Sequence, residues 1–165
     1  MKFRKPLFWD YTKPNLISNI LLPLTVFVKL NNILINNNKK KKNKNIKTIC
    51  IGNIYLGGTG KTPTTITLNK ILKQLSKNIS IGKKFYAKHN DEHILLRKQV
   101  NLILDDNRQK IIDLAIKKKR EILIFDDGLQ DKNIEYDLKF VCFSADNWVG
   151  NGRLIPAGPL REKIQ

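Results

Sequence analysis

A chain of 165 residues has room for one ordinary domain with a real core, and not for two large ones. Its 31 Lys and Arg against 14 Asp and Glu leave a net charge of +17, yet 41% of its residues are hydrophobic, which excludes a disordered basic tail over most of the length. A charge of this sign draws nucleic acid, an acidic lipid surface or phosphorylated small molecules without choosing among them, and the abundance of Lys, Asn and Ile that AT-rich coding sequence produces discounts it further.

The first element is an apolar stretch from Leu16 to Ile35, predicted as a helix. Ser18, Asn19, Pro23, Lys29, Asn31 and Asn32 interrupt it too often for a transmembrane span, which needs roughly 20 predominantly apolar residues. No small-residue cleavage site follows it, so it does not read as a signal peptide. Two readings stay open. One is an interfacial helix, with Lys2, Arg4, Lys5 and Lys13 before it and Phe3, Phe8, Trp9 and Tyr11 at headgroup level. The other is a helix packed on the core, with a solvated lysine loop behind it. That loop, Asn36 to Asn45 with Lys39 to Lys42, is low in complexity and carries no interleaved aromatics to stack bases, so no nucleic acid is expected as a partner.

Lys47 to Gly52 reads as a short buried strand. Tyr55-Leu56-Gly57-Gly58-Thr59-Gly60-Lys61-Thr62 follows, and then a segment with helical character from Pro63 to Lys77. Strand, glycine loop and helix in that order make a phosphate site. Glycines let backbone N–H groups wrap an anion, Lys61 reaches the β- and γ-phosphates, and the Thr62 hydroxyl ligates Mg2+. Tyr55 stands where the usual pattern has glycine, so only Gly60-Lys61-Thr62 follows it closely.

Further on, Glu121 to Asp127 is an apolar strand ending in two carboxylates, the place where a P-loop protein sets its second metal-organising acid. Asp126 and Asp127 are metal candidates on that ground, although Asp-Gly alone also makes an ordinary turn. Asp91 and Glu92 open a run of helical character. Acids there serve a helix dipole, and a carboxylate near a γ-phosphate also accepts a hydroxyl proton. His89 and His93 lack partners at ligand spacing and are assigned no metal. Cys50 and Cys142 lie in apolar runs with no pairing signature, which predicts two reduced core thiols of a cytosolic domain. Asn151 to Glu162 is broken by Gly and Pro into a loop whose arginines can hold a second phosphate.

Three blocks taken in order, Tyr55 to Pro63, Asp126 to Gln130 and Gly150 to Glu162, resemble tetraacyldisaccharide 4'-kinase, the lipid A 4'-kinase family of Gram-negative bacteria. The resemblance also accounts for Tyr55, because that family's loop lacks the leading glycine. It implies transfer of the γ-phosphoryl group of ATP, with Mg2+, to the 4'-hydroxyl of an acylated glucosamine disaccharide at the cytoplasmic face of the inner membrane, by a peripherally attached enzyme. It further implies that residues Tyr55 to Thr62 bind nucleotide, with Lys61 catalytic and Asp91 the base. Thr62, Glu92, Asp126 and Asp127 would serve the metal, and Gln130, Arg161 and Glu162 the substrate. Departures are Asn90-Asp91-Glu92-His93 for Gly-Asp-Glu-Pro, a shortened segment near Lys84-Phe85-Tyr86, and Asp131 where the family usually has histidine. Family members are about twice as long, which implies a fragment lacking most of a second lobe and the histidine that pairs with the base.

The expected fold is α/β, P-loop NTPase-like: a mostly parallel sheet flanked by helices, preceded by a membrane-associating helix. Residues 1–45 would form the helix and lysine loop, and 46–165 the kinase lobe. Strands are predicted near 47–52, 79–83, 100–104, 121–126 and 138–143, and helices near 16–35, 63–77, 91–98 and 107–119. A membrane-bound NTPase switch and a basic nucleic-acid-binding module are the alternative functions. Oligomeric state is not legible in the sequence.

Overall fold

In the computed structural model, which describes residues 5–36, 40–75, 78–86, 90–131 and 133–164, the first helix begins where Asn15 caps it, its side chain accepting from the Ser18 amide at 2.9 Å. This helix, α1 (Leu16–Ile20), gives way to a 3-10 turn over Leu22–Leu24 before α2 (Thr25–Asn36). The single helix expected over 16–35 is therefore two. Pro23 has no N–H to donate and its ring disfavours a continuous α ladder, so the chain tightens into a 3-10 turn at that point.

By contact the chain divides into two units, residues 1–38, 53–59 and 142–165 forming one and residues 39–52 and 60–141 the other. Sequence sets a boundary between 45 and 46. The helices group instead with the last segment of the chain, because buried polar groups fasten them to it. Trp9 Nε1 donates to the Pro156 carbonyl at 3.0 Å, Ser18 Oγ to that of Ala157 at 2.6 Å, and Asn32 Nδ2 to that of Arg161 at 2.9 Å. Asn151 Nδ2, itself buried, donates to Ser18 Oγ and to the Ala157 carbonyl. Burial in α1 and α2 is thus inverted. Ser18 and Thr25 are inside, while Leu16 is 74%, Phe27 71% and Leu34 71% exposed. Residues 142–164 form turns and isolated bridges, as their Gly and Pro content predicts.

The second unit holds the sheet. Its strands are β1 (Lys41–Lys42), β2 (Lys47–Gly52), β3 (Ile79–Lys84), β4 (Leu102–Asp105), β5 (Ile122–Asp126), β6 (Ile134–Glu135) and β7 (Leu138–Val141). Its helices are α3 (Lys61–Leu72), α4 (Asn90–Gln99) and α5 (Arg108–Lys117). Five strands pair in the order β4-β3-β5-β2-β7, every pairing parallel. A parallel sheet needs crossover connections, and α3 and α5 pack on it, α3 against β2, β3 and β5, and α5 against β3 and β4. The five strands match expectation to within a few residues. The short parallel pair of β1 with β6 was not foreseen, since two residues carry no readable period.

Side chains alternate along β5. Leu123 and Phe125 enter the core with Ile111, Ile112 and Ala115 of α5, which sends Asp126 to the opposite face, within reach of Thr65 on α3. Gly82 permits the close approach of α5, because a Cβ there would stand 2.7 Å from Ile111 Cγ2. Cys50 is buried and unpaired as expected, and Cys142 is unpaired but only partly buried.

Candidate active site: a phosphate-binding loop and its facing acids

Within the first unit, residues 53–59 form the entry of the glycine loop. Asn53 braces it, its Nδ2 donating to the carbonyls of Tyr55 at 2.7 Å and Gly57 at 3.0 Å. Tyr55 is buried against Leu154 and Leu160, and the Leu56 amide donates to the Pro159 carbonyl at 2.9 Å. The Tyr55 hydroxyl donates to Asp10 and accepts from Lys5 Nζ at 3.3 Å. Burial opposes the charge on Asp10, but the hydrogen bonds from Lys5 and Tyr55 outweigh it and hold the carboxyl below its usual range. The aromatic ring at the position where glycine is usual is therefore an anchor of the loop's backbone. Gly57 takes φ +155, open to glycine and strained for other residues. Gly58 is exposed, and Thr59 Oγ1 is buried without a hydrogen-bond partner among the described residues. The Arg161 amide donates to the Ile54 carbonyl at 2.7 Å, so Arg161 and Glu162 belong to this unit too.

In the second unit the chain turns through Gly60, at φ +73, directly into α3. That left-handed turn leaves the first N–H groups of α3 without side-chain caps, an arrangement suited to an anion. Beside the helix start lies a cavity of about 300 Å³ lined by Lys61, Thr62, Lys83, Arg108, Asp126 and Gln130, with Pro63, Lys84, Tyr86 and Asp127 also on its wall. Four cationic side chains face two carboxylates there, and the surplus suits a polyphosphate.

Bonds between neighbouring elements fix the acids. Thr62 Oγ1 donates to Asp126 Oδ2 at 3.0 Å, Thr65 Oγ1 approaches Oδ1 at 3.4 Å, and Lys83 Nζ lies 2.8 Å from Oδ2. Asp127 takes φ +64, and its Oδ1 is 3.9 Å from Lys61 Nζ. Arg108 bridges the turn that follows, NH2 donating to the Asp127 carbonyl at 2.6 Å and NH1 to Asp131 Oδ2 at 3.2 Å. Below the turn, Cys50 lies beside Gly128, and burial pushes its thiol pKa up to about 12.

Lys61, Thr62, Asp126, Asp127 and Gln130, singled out in the sequence, are thus brought to one cavity. Asp91 and Glu92 sit at the N-terminal end of α4, and their side chains, like that of His93, lie outside the described residues. Lys2, Phe3, Arg4, Lys39 and His89 lie outside them altogether. Lys83 and Arg108 were missed. A lysine at the carboxyl end of a parallel strand, as Lys83 is one residue before the end of β3, carries a readable signal, because ligands gather there. Arg108 carries a weaker one, as the first helical residue after the Asn107 cap.

The family model for tetraacyldisaccharide-1-P 4'-kinase (LpxK) matches residues 17–90 and 83–165. The chain belongs to this family. Among its LpxK relatives, the tetraacyldisaccharide 4'-kinase of Pelagibacter ubique (strain HTCC1062) is 46% identical over 164 residues, covering 99% of this chain and 52% of the relative. That of Rickettsia conorii (strain ATCC VR-613 / Malish 7) is 33% identical, covering 98% of this chain and 55% of the relative. A crystal structure of LpxK from Aquifex aeolicus in complex with ATP is similar with a TM-score of 0.71 and 26% identity, covering 89% of this chain and 55% of that one. The chain spans about half the length of the curated LpxK relatives it matches.

Proposed function

We propose that this chain carries the nucleotide-binding part of a lipid A 4'-kinase, which transfers the γ-phosphoryl group of ATP to the 4'-hydroxyl of an acylated glucosamine disaccharide 1-phosphate. One observation carries the reading: in a member of the LpxK family, α3 opens from a glycine turn onto a cationic cavity in which the Thr62 hydroxyl bonds to the buried Asp126. The uncapped N–H groups of α3 and Lys61 would bind the phosphates, and Lys83 and Arg108 add charge where negative charge builds up during transfer. The acceptor oxygen bonds to the γ-phosphorus as the bond to the β–γ bridging oxygen breaks. ADP leaves, and the hydroxyl proton passes to a carboxylate, for which Asp91 is our candidate.

The donor set suits Mg2+. Thr62 Oγ1 and the carboxylates of Asp126 and Asp127 are hard oxygens on one wall, and although the described residues hold no cluster of three or more His, Cys, Asp or Glu, Mg2+ is usually held by one or two carboxylates together with substrate phosphates. When bound it would neutralise phosphate charge; Glu92 is a further candidate ligand. Gln130 on the cavity wall, and Arg161 with Glu162, are candidates for contacts to the sugar and its phosphate.

The unit containing α1 and α2 is our candidate for peripheral attachment to the cytoplasmic face of the inner membrane. No helix among the described residues is long and apolar enough to cross a membrane. The exposed Leu16, Ile20, Phe27 and Leu34, with Lys13 and Lys29 in the same segment, suit a lipid surface instead.

The test is transfer from γ-labelled ATP to the tetraacyl disaccharide 1-phosphate in detergent, run with this chain and with the longest product of its reading frame. Acceptor-dependent transfer that Lys61→Ala abolishes is expected from the longest product. ATP hydrolysis indifferent to the acceptor overturns the kinase reading in favour of a switch NTPase.

A further inference from the structure

Lys83 and Asp126 are partners in the register of the sheet, facing each other across the β3–β5 pairing at the carboxyl ends of both strands. Their side chains are 11% and 1% exposed, and the ammonium is 2.8 Å from Oδ2. The same Oδ2 accepts from Thr62 Oγ1 at 3.0 Å. A carboxylate oxygen offers about two lone-pair directions, so these two donors fill it. Thr62 Oγ1 and the Asp126 carboxylate are also the hard oxygens on which a divalent cation would sit. Two cations crowded onto one buried oxygen repel each other strongly, because their repulsion is little screened there, so ammonium and metal compete for it.

We propose that Lys83 is a tethered counter-cation, which holds the divalent-metal seat of the nucleotide-free protein and yields it only when phosphate oxygens enter the cavity and draw the ammonium away. Lys83 reaches the cavity from β3 and Lys61 from α3, so an arriving polyphosphate meets an ammonium on each side. The buried Asp126 charge is compensated at every stage, by Lys83 before nucleotide and by the metal after it. Metal affinity then depends on nucleotide, and by linkage nucleotide affinity depends on metal to the same factor. Removing the ammonium leaves a buried, uncompensated carboxylate, which destabilises the protein and at the same time opens the seat.

This inference rests on reading the cavity as a nucleotide and metal site, and its test reads cation binding and stability, not phosphoryl transfer. Mn2+ is titrated and its free signal followed by electron paramagnetic resonance, with and without a non-hydrolysable ATP analogue, on the native protein, Lys83→Gln and Lys83→Arg. Tm is measured in parallel with and without millimolar Mg2+. The native protein and Lys83→Arg should bind Mn2+ weakly alone and at least tenfold more tightly with the analogue. Lys83→Gln should have a lowered Tm, should bind Mn2+ without nucleotide at least tenfold more tightly than the native protein, and should recover Tm in Mg2+, which leaves the native Tm unchanged. Lys83→Gln with Asp126→Asn should lose that recovery. Equal Mn2+ affinity of native and Lys83→Gln protein without nucleotide overturns the proposal. If Lys83→Gln does not fold, tight Mn2+ binding by the nucleotide-free native protein overturns it just as directly. Absence of Mn2+ binding in every form, analogue included, overturns the proposal together with the metal reading beneath it, whereas failure of the transfer assay alone leaves it standing.

Discussion

Arg108 ties the acidic turn to α5, and severing that tie has a cost that the structure lets one work out. Its guanidinium is 12% exposed and makes two bonds, to the Asp127 carbonyl at 2.6 Å and to Asp131 Oδ2 at 3.2 Å. Asp131 is 19% exposed, and its other oxygen accepts from the Asn133 amide at 3.1 Å. Arg108→Ala removes both bonds and leaves a largely buried carboxylate without its cation, which costs about 3 kcal/mol, the lower end of the range for a broken buried ion pair. Asp131→Asn keeps an acceptor and loses only its charge, which costs about 1 kcal/mol, the difference between a charged and a neutral hydrogen bond. In the Asp131→Asn background Arg108→Ala no longer strands a charge and should cost about 2 kcal/mol, so the cycle should close with a coupling of about 1 kcal/mol. Urea unfolding of the four nucleotide-free proteins, followed by far-ultraviolet circular dichroism, measures all four corners. Additivity within about 0.3 kcal/mol would refute the view that the pair is one unit, and an Asp131→Asn as costly as Arg108→Ala would refute the view that a stranded charge sets the cost.

Two further outcomes follow from groups of the sheet unit. Burial disfavours the charge of Asp137, but the Thr48 amide at 2.8 Å, the Thr48 hydroxyl at 3.1 Å and the charges of Lys47 and Lys42 outweigh it and hold the carboxyl below its usual range. A carboxyl lowered on folding adds stability in full above its unfolded value near pH ~4 and loses it as pH falls through the folded value. Asp137→Asn keeps an acceptor for Thr48 and, at this exposed position, should therefore cost only about 0.5 kcal/mol at pH 7 and flatten the fall in Tm below about pH 4; an unchanged acid limb would remove Asp137 from the account. With its thiol pushed up to about 12 and buried, Cys50 should stay silent to an aromatic disulfide reagent in the native protein at pH 8, while the partly buried Cys142 reacts. Equal labelling of both cysteines, or faster labelling of Cys50, would contradict the packing around Gly128.

Which parts of this were legible in the sequence follows from the range of the forces involved. The apolar runs at 47–52, 79–83, 100–104 and 121–126 are short and rich in Ile and Leu, because strands of a helix-covered parallel sheet bury mostly apolar side chains. That pattern is local and survives in one dimension. The glycine loop and the Asp-Asp-Gly turn were equally local, since each depends on backbone conformations that few residues adopt. Pro23 is local as well, but the apolar run on both sides of it carries no sign of the 3-10 turn that splits the first helix. The pairing of Lys83 with Asp126 was invisible, because β3 and β5 become neighbours only in the strand order β4-β3-β5-β2-β7, which no single strand specifies. The same holds for Arg108 and Asp131, 23 positions apart, and for Tyr55, whose departure from the loop pattern makes sense only once Leu154 and Leu160 have closed over it. Chain-local sterics and hydrophobic periodicity thus determined the elements and the glycine loop. Long-range register alone decided which charges meet, and the chemistry of the cavity depends on that meeting.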